Sequence, residues 1–290
     1  MRAPGAWAVA VRRPDGVIEA ARHPLPRLSS RSRLAKVLFI RGVLVLGESL
    51  SLGYRALTWS AQKAGGEDEE DIGKGQILGS MAVALVIFAG LFIVLPAVAA
   101  DRLSPESELG FAAIEAVLRL VLFVGYIWAI GRSREIRRVF QYHGAEHMSI
   151  HAYEAGEPLS VGSVGRYRPE HPRCGTNFLM IVIVLAIVVF TFVGRPDWWI
   201  LIVSRVVGIP LIAGLSYEVL RFGGLHQREW LGRVLAAPGM WLQRLTTGVP
   251  EEPMIEVAIA SLVAALEDEQ VDELVGRGGM PAAALAARPA

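Results

Sequence analysis

His143, His147 and His151 recur one helical turn apart in VFQYHGAEHMSIHAYEAG, residues 139–156, with Glu146 and Glu154 among them. Four of the six histidines in the chain, His143, His147, His151 and His171, fall in this stretch or shortly after it. On a helix, residues four apart face the same way. His143 and His147 therefore have the spacing two imidazoles need to hold one ion, with nitrogens about 2.0–2.1 Å from zinc. The five residues HGAEH match H-x-x-E-H, the inverted zincin pattern, in which the glutamate serves as general base toward water. That makes Glu146 the catalytic candidate. The plainer reading is that the histidines line a surface helix and that Glu146 and Glu154 pair with nearby arginines. Three histidines at helical spacing with a fourth close by favour metal binding, by a divalent ion and zinc in particular.

A hydrolytic zinc site generally takes a third protein ligand and leaves one position open. Glu218, in LSYEVLRF, is the favoured third ligand, because a carboxylate next to hydrocarbon is costly and marks function or pairing. His151 forms a second i,i+4 pair with His147. It stands roughly 12 Å along the axis from His143, so one ion would choose between the two pairs. His171 and Cys174, in HPRCG, are further candidates to complete the set. Cys174 is the single cysteine, which excludes an intramolecular disulfide and every CxxC motif.

These side chains must be positioned by a chain of 290 residues that is 53% hydrophobic, with a mean hydropathy of +0.42. That composition predicts a mainly α, polytopic membrane protein. A net charge of +1 argues against nucleic acid as a partner. Four stretches, at about 78–100, 109–131, 177–195 and 198–220, are apolar and long enough to cross a bilayer as helices. The opening MRAPGAWAVAVRRPDG has no apolar core of a signal peptide, so no cleavage is expected.

Basic residues set the orientation. The 132–176 connection carries Arg132, Arg134, Arg137, Arg138, Arg166, Arg168 and Arg173, whereas DRLSPESE and GRPDW carry one arginine each. The positive-inside rule then places both termini and the histidine-rich connection in the cytoplasm, at the inner membrane. Glu218, about twenty residues into the fourth span, falls roughly 30 Å from its outer end and so at the cytoplasmic face.

The chain divides into three regions. Residues 1–77 hold a cytosolic hairpin, read from WAVAVRRPDGVIEAA, and an interfacial helix from Lys36 to Gln62, with a solvated acidic linker, GEDEEDIG, after it. Residues 78–224 form the four-helix transmembrane region, including the cytosolic connection 132–176. Residues 225–290 begin with an interfacial helix, EWLGRVLAAPGMWLQRL, broken at Pro238-Gly239. Next come a soluble amphipathic helix in TTGVPEEPMIEVAIASLVAALEDE and a disordered tail. Within the spans, Glu115 and Arg119 form an i,i+4 pair that Arg205 can join at similar depth. A charge triad that fixes helix register is preferred there to an ion or proton path.

RRVFQYHGAEHMSIHAYEAGEPL, HPRCGTNFL, SYEVLRF and TTGVPEEPMIEVAIASL, in that order, resemble the YqhQ-like bacterial membrane proteins, a domain of unknown function (DUF 1385). The resemblance implies a polytopic inner-membrane protein described as a predicted metal-dependent enzyme. It places the family's motifs on His143, Glu146 and His147, on His171 and Cys174, and on Glu218. Family members often carry asparagine where this chain has His151.

The leading expectation is a zinc-dependent hydrolase at the cytoplasmic membrane face, acting on a peptide or lipid-linked substrate. The alternative is a non-catalytic metal-binding scaffold or sensor that docks a cytosolic protein through the C-terminal helix. A transporter ranks third. The expected partners are membrane lipid, a cytosolic protein and a further copy of the chain.

Overall fold

The computed structural model describes residues 1–25, 37, 39–64, 74–103, 107–194, 197–226 and 229–288, so the acidic linker at 66–73 lies outside the described residues. Two strands, β1 (Ala6–Arg12) and β2 (Ile18–Pro24), pair antiparallel as expected, with Val9 opposite Ala21. The helices are α1 (Ile40–Ala64), α2 (Lys74–Ala89), α3 (Leu95–Leu103), α4 (Glu108–Ile130), α5 (Arg134–Glu154) and α6 (Val161–Val164). They continue with α7 (Thr176–Val193), α8 (Trp198–Leu225), α9 (Trp230–Thr246), α10 (Glu252–Ala265), α11 (Asp268–Gly276) and α12 (Ala282–Ala286). A π-helical turn, Gly90–Val94, joins α2 to α3.

Among the described residues four stretches are long and apolar enough to cross a membrane, Ala82–Leu103, Gly110–Ile130, Thr176–Val193 and Val203–Leu225. They pack into one apolar layer, α7 lying against α4, α8 and α9. Pro96 follows the π turn closely. Pro96 has no N–H, so the carbonyl four residues back, that of Phe92, loses its ordinary helical partner. Arg119 Nε on α4 donates to it at 3.2 Å, as a backbone acceptor in an apolar layer requires.

The second layer is built around α10. A helix in an aqueous layer with one face toward water would show a single apolar stripe. In α10, Val257 through Ala265 are all buried. Strand β1, α5 and α12 close over it. The expected amphipathic surface helix is thus the centre of this layer. Its small residues, Ala258, Ala260, Ala264 and Ala265, let neighbours approach from every side.

Two further expectations are corrected. The tail is not wholly disordered: α12 packs on α10 with Ala284 fully buried, and Arg288 fastens the end of this segment through the Leu266 carbonyl (3.2 Å) and Asp268 (2.6 Å). Alanine favours helix and, being small, lets α12 seat closely. Nor does Pro238-Gly239 break α9, which runs unbroken to Thr246. Proline costs one helix hydrogen bond there, while Gly239 seats the helix against α7 so closely that a Cβ would stand 2.0 Å from Asn177 Oδ1.

The sequence predicts a helix that starts near Ser133-Arg134 and stops at Gly156, and the histidine helix α5 starts and stops there. The Ser133 side chain accepts from the Ile136 N–H at 3.2 Å, and Gly156 leaves the helix at φ +75°, in the left-handed region that suits glycine. In its middle, Gly144 is pressed against the turn after α9: a Cβ there would lie 2.1 Å from the Gly248 carbonyl oxygen. Gly248 N in turn donates to the Phe140 carbonyl at 2.8 Å. This contact fixes the face of α5 that carries His143 and His147.

Gly144→Ala is therefore expected to destabilise the protein by about 1–3 kcal/mol, the usual cost of overpacking against an unyielding wall. Gly53→Ala, in α1 with nothing within 4 Å of the new Cβ, is expected to be neutral or stabilising by up to about 1 kcal/mol. Thermal unfolding of the two purified variants in the same detergent checks the contrast.

Candidate metal centre

His143 and His147 come together as their spacing predicts, with ring centroids 4.4 Å apart. The third member is Cys174. One ligand atom from each of His143, His147 and Cys174 can be chosen so that all lie within 4.8 Å of one another. His143 Nε2 is 3.2 Å from Cys174 Sγ, close to the roughly 3.5 Å that separates sulfur and nitrogen across a tetrahedral zinc.

The far side of each imidazole is held by the backbone. His143 Nδ1 lies 2.9 Å from the Thr246 carbonyl and His147 Nδ1 lies 2.6 Å from the Pro169 carbonyl. A carbonyl oxygen only accepts, so both Nδ1 atoms carry the proton and both Nε2 atoms are the potential ligands. Partners of this kind fix ring orientation and tautomer at metal sites. The sulfur is also steadied, by the Thr176 N–H at 3.3 Å and by a hydrogen bond with Thr176 Oγ1 at 3.1 Å.

The electrostatics favour a thiolate. Burial alone would raise the Cys174 thiol, but hydrogen bonds from His143, His147 and Thr176 bring it down to about 6. Burial works to lower the His143 imidazole, yet the hydrogen bond and charge of Cys174, the Thr246 carbonyl and Glu146 outweigh it, so His143 is raised. The 3.2 Å contact thus joins an acidified thiol to an imidazole of raised basicity.

The other expected ligands are placed elsewhere. His151 turns its Nε2 to the Glu170 carbonyl (2.9 Å) and stacks on Tyr167. His171 stands beside the centre, its ring 5.8 Å from that of His147. Its Nδ1 accepts from Arg173 N at 3.2 Å, and its Nε2 faces Glu154 at 3.5 Å. Burial, with the charges of His151, His147 and Arg173, pushes His171 down to about 3, so the ring is neutral at pH 7. Glu218 does not join the set: its carboxylate receives both Nε and Nη2 of Arg41. It faces α1 across the Gly42–Gly214 crossing, where a Cβ on Gly42 would lie 2.9 Å from the Gly214 backbone.

Glu146 is partly exposed and lines a cavity of about 550 Å³, along with His143, His147 and Cys174. It sits on α5 beside His147 and adds its charge to the field on His143. In the apolar layer Glu115 Oε1 accepts from Arg119 (2.5 Å) and Arg205 (2.7 Å), completing the expected triad.

The frame behind the centre has no motif of its own. Gln243 of α9 is fully buried; its Oε1 accepts from His171 N (2.7 Å) and its Nε2 donates to the His171 carbonyl (3.0 Å) and to Asn177 Oδ1 (2.9 Å). The one signal for it in the residues is a glutamine on the apolar face of α9, between Leu242 and Thr246. Glu48 is likewise absent from the expected set; it is buried in α1, 3.5 Å from Arg2.

A mainly helical chain with four helices of membrane-crossing length and a His-His-Cys cluster beside them is the class these features define. The chain belongs to the DUF1385 family, described as protein of unknown function, whose profile matches residues 37–268. It is 32% identical over 283 residues to the uncharacterized protein YqhQ of Bacillus subtilis (strain 168), covering 92% of this chain and 89% of that relative. No solved structure matches.

In metal-stripped protein, Cys174 is expected to react with iodoacetamide at a rate that rises with pH to half its maximum near 6, because the thiolate is the nucleophile. His143→Ala removes the first-ranked hydrogen bond to the sulfur and is expected to move the midpoint up toward the ordinary thiol value of about 8.5. Mass spectrometry of the alkylated peptide tracks both.

Proposed function

We propose that this protein is a divalent-metal protein, zinc being the best match, and that it hydrolyses a peptide or lipid-linked substrate at the cytoplasmic face of the membrane. His143 Nε2, His147 Nε2 and Cys174 Sγ would hold the ion. The observation that carries the reading is the pair of backbone carbonyls on the two Nδ1 atoms, which leaves two imidazole acceptors and one acidified thiol converging on the same space. Two nitrogens and a sulfur are a donor set suited to zinc.

Three protein ligands leave a fourth position, as catalytic rather than structural zinc sites do. When bound, the ion would supply Lewis acidity toward a carbonyl or phosphoryl oxygen and acidify water. Glu146, on the cavity wall, takes up the proton from the attacking water and returns it to the leaving group. Thr176 holds the thiolate and Gln243 holds the His171 loop, so the ligands need little rearrangement. The basic 132–176 connection supports a cytoplasmic site.

A non-catalytic scaffold or sensor would need a fourth protein ligand. His171 is the nearest further imidazole, but its Nδ1 accepts from Arg173 N and its Nε2 faces Glu154. The open-site reading is therefore preferred. A transporter finds less support, since the Glu115 carboxylate within the second span is already bonded to both Arg119 and Arg205.

Purified full-length protein is expected to contain about one divalent ion per chain by elemental analysis, and the His143→Ala, His147→Ala double variant none. Loaded with Co²⁺, the protein is expected to show a sulfur-to-cobalt absorption band that Cys174→Ser abolishes and visible bands that shift when azide is added. Ion-free wild-type protein that fails to bind Co²⁺ would overturn metal binding. Bands indifferent to azide would leave the metal and remove the open position. Glu146→Gln is expected to retain the ion; its loss would show that Glu146 is a ligand rather than a base.

A further inference from the structure

The apolar layer contains a second cavity, separate from the metal centre. Its volume is about 440 Å³, and it is lined by α7 from Phe178 to Phe190 together with residues of α1, α2, α4, α8 and the π turn. The twelve helical steps from Phe178 to Phe190 make this wall about 18 Å long.

The lining is aromatic and aliphatic, with Tyr126 and two charged exceptions among the described residues, Arg119 and Arg205. The charges do not balance, for two guanidinium groups share the single carboxylate of Glu115. Arg119 is further occupied by the Phe92 carbonyl. Arg205 is not: it is only 3% exposed, it gives Nη2 to Glu115, and its Nε and Nη1 have no hydrogen-bond partner among the described residues. The Phe190 ring lies 3.7 Å from its Cζ. That contact attracts the cation but leaves the in-plane N–H groups unsatisfied.

An unpaired cationic donor buried in hydrocarbon is costly and marks function or pairing. A planar guanidinium with free N–H groups matches a carboxylate. Arg205 lies seven residues into α8 and against Phe190, the last lining residue of α7, so the acid group would sit at the Phe190 end of the slot and a tail would run along α7 toward Phe178. We propose that the slot is a binding site for a long-chain fatty-acid carboxylate, whose head accepts hydrogen bonds from Arg205 and whose alkyl chain lies between α4, α7 and α8. This site is independent of the metal centre.

The test uses the purified, delipidated full chain in detergent, with thermal unfolding as the readout. Palmitate is expected to raise Tm by several degrees, hexadecanol of equal chain length by clearly less, and inorganic phosphate not at all. Arg205→Gln, which leaves the Glu115–Arg119 pair in place, is expected to lower the palmitate shift to that of hexadecanol. Ala186→Phe, which fills the slot, is expected to abolish both. Equal shifts for acid and alcohol, or an undiminished palmitate shift in Arg205→Gln, would overturn the proposal. Photolabelling of the wild-type chain with a diazirine-bearing palmitate needs no variant to fold. Label within Phe178–Phe190 that palmitate displaces and hexadecanol does not supports the site; label elsewhere, or label displaced equally by both, refutes it.

Discussion

Two backbone carbonyls, those of Pro169 and Thr246, decide what the histidine helix can do. Each takes the Nδ1 proton of one imidazole, so the two Nε2 atoms are left as acceptors, turned toward the same thiol. An imidazole free to rotate on a surface helix has neither a fixed tautomer nor a fixed direction. Much of the second layer serves to bring those two carbonyls into place. The turn that carries Thr246 is seated by the absence of a side chain at Gly144, and the segment leading from Pro169 to His171 is anchored through Gln243 to α9 and α7.

The same arrangement explains the acidity at the centre. Burial disfavours both charged forms, the thiolate and the imidazolium, when each is considered alone. Placed 3.2 Å apart they stabilise one another, and each shifts against the direction that burial imposes. The neutral His171 beside them adds no competing positive charge.

Much of the architecture is legible in the residues. The four long apolar stretches, the hairpin, the bounds of α5, the meeting of His143 with His147 and the Glu115 triad all emerge from periodicity or spacing. The features that are not legible share a physical origin. Depth along α8 points to Glu218, but a helix position has an azimuth as well, and that is set by packing: Gly42 and Gly214 bring α1 onto α8, and Arg41 claims the carboxylate. Helix α10 shows an apolar period that describes a half-buried helix, yet its alanines let partners close around the whole circumference. In α9 the helix-breaking pair survives because tertiary packing, Gly239 against Asn177 above all, outweighs the local cost of proline and glycine within a helix. Cys174 is one candidate among several on spacing alone; only the fold brings an atom 31 residues along the chain into reach of His143.

The proline at 96 binds two distant positions into a single heritable unit. By withholding one N–H it leaves the Phe92 oxygen in want of a donor, and a guanidinium 27 residues further on supplies it. The role of Arg119 is thus in part the repair of a backbone defect, a duty that charge alone does not describe. A lineage that exchanges the proline for alanine restores the native donor and relaxes selection on the arginine. One that loses the arginine first must cross a state with an acceptor stranded in oil. The two positions are therefore coupled by the chemistry of one missing hydrogen.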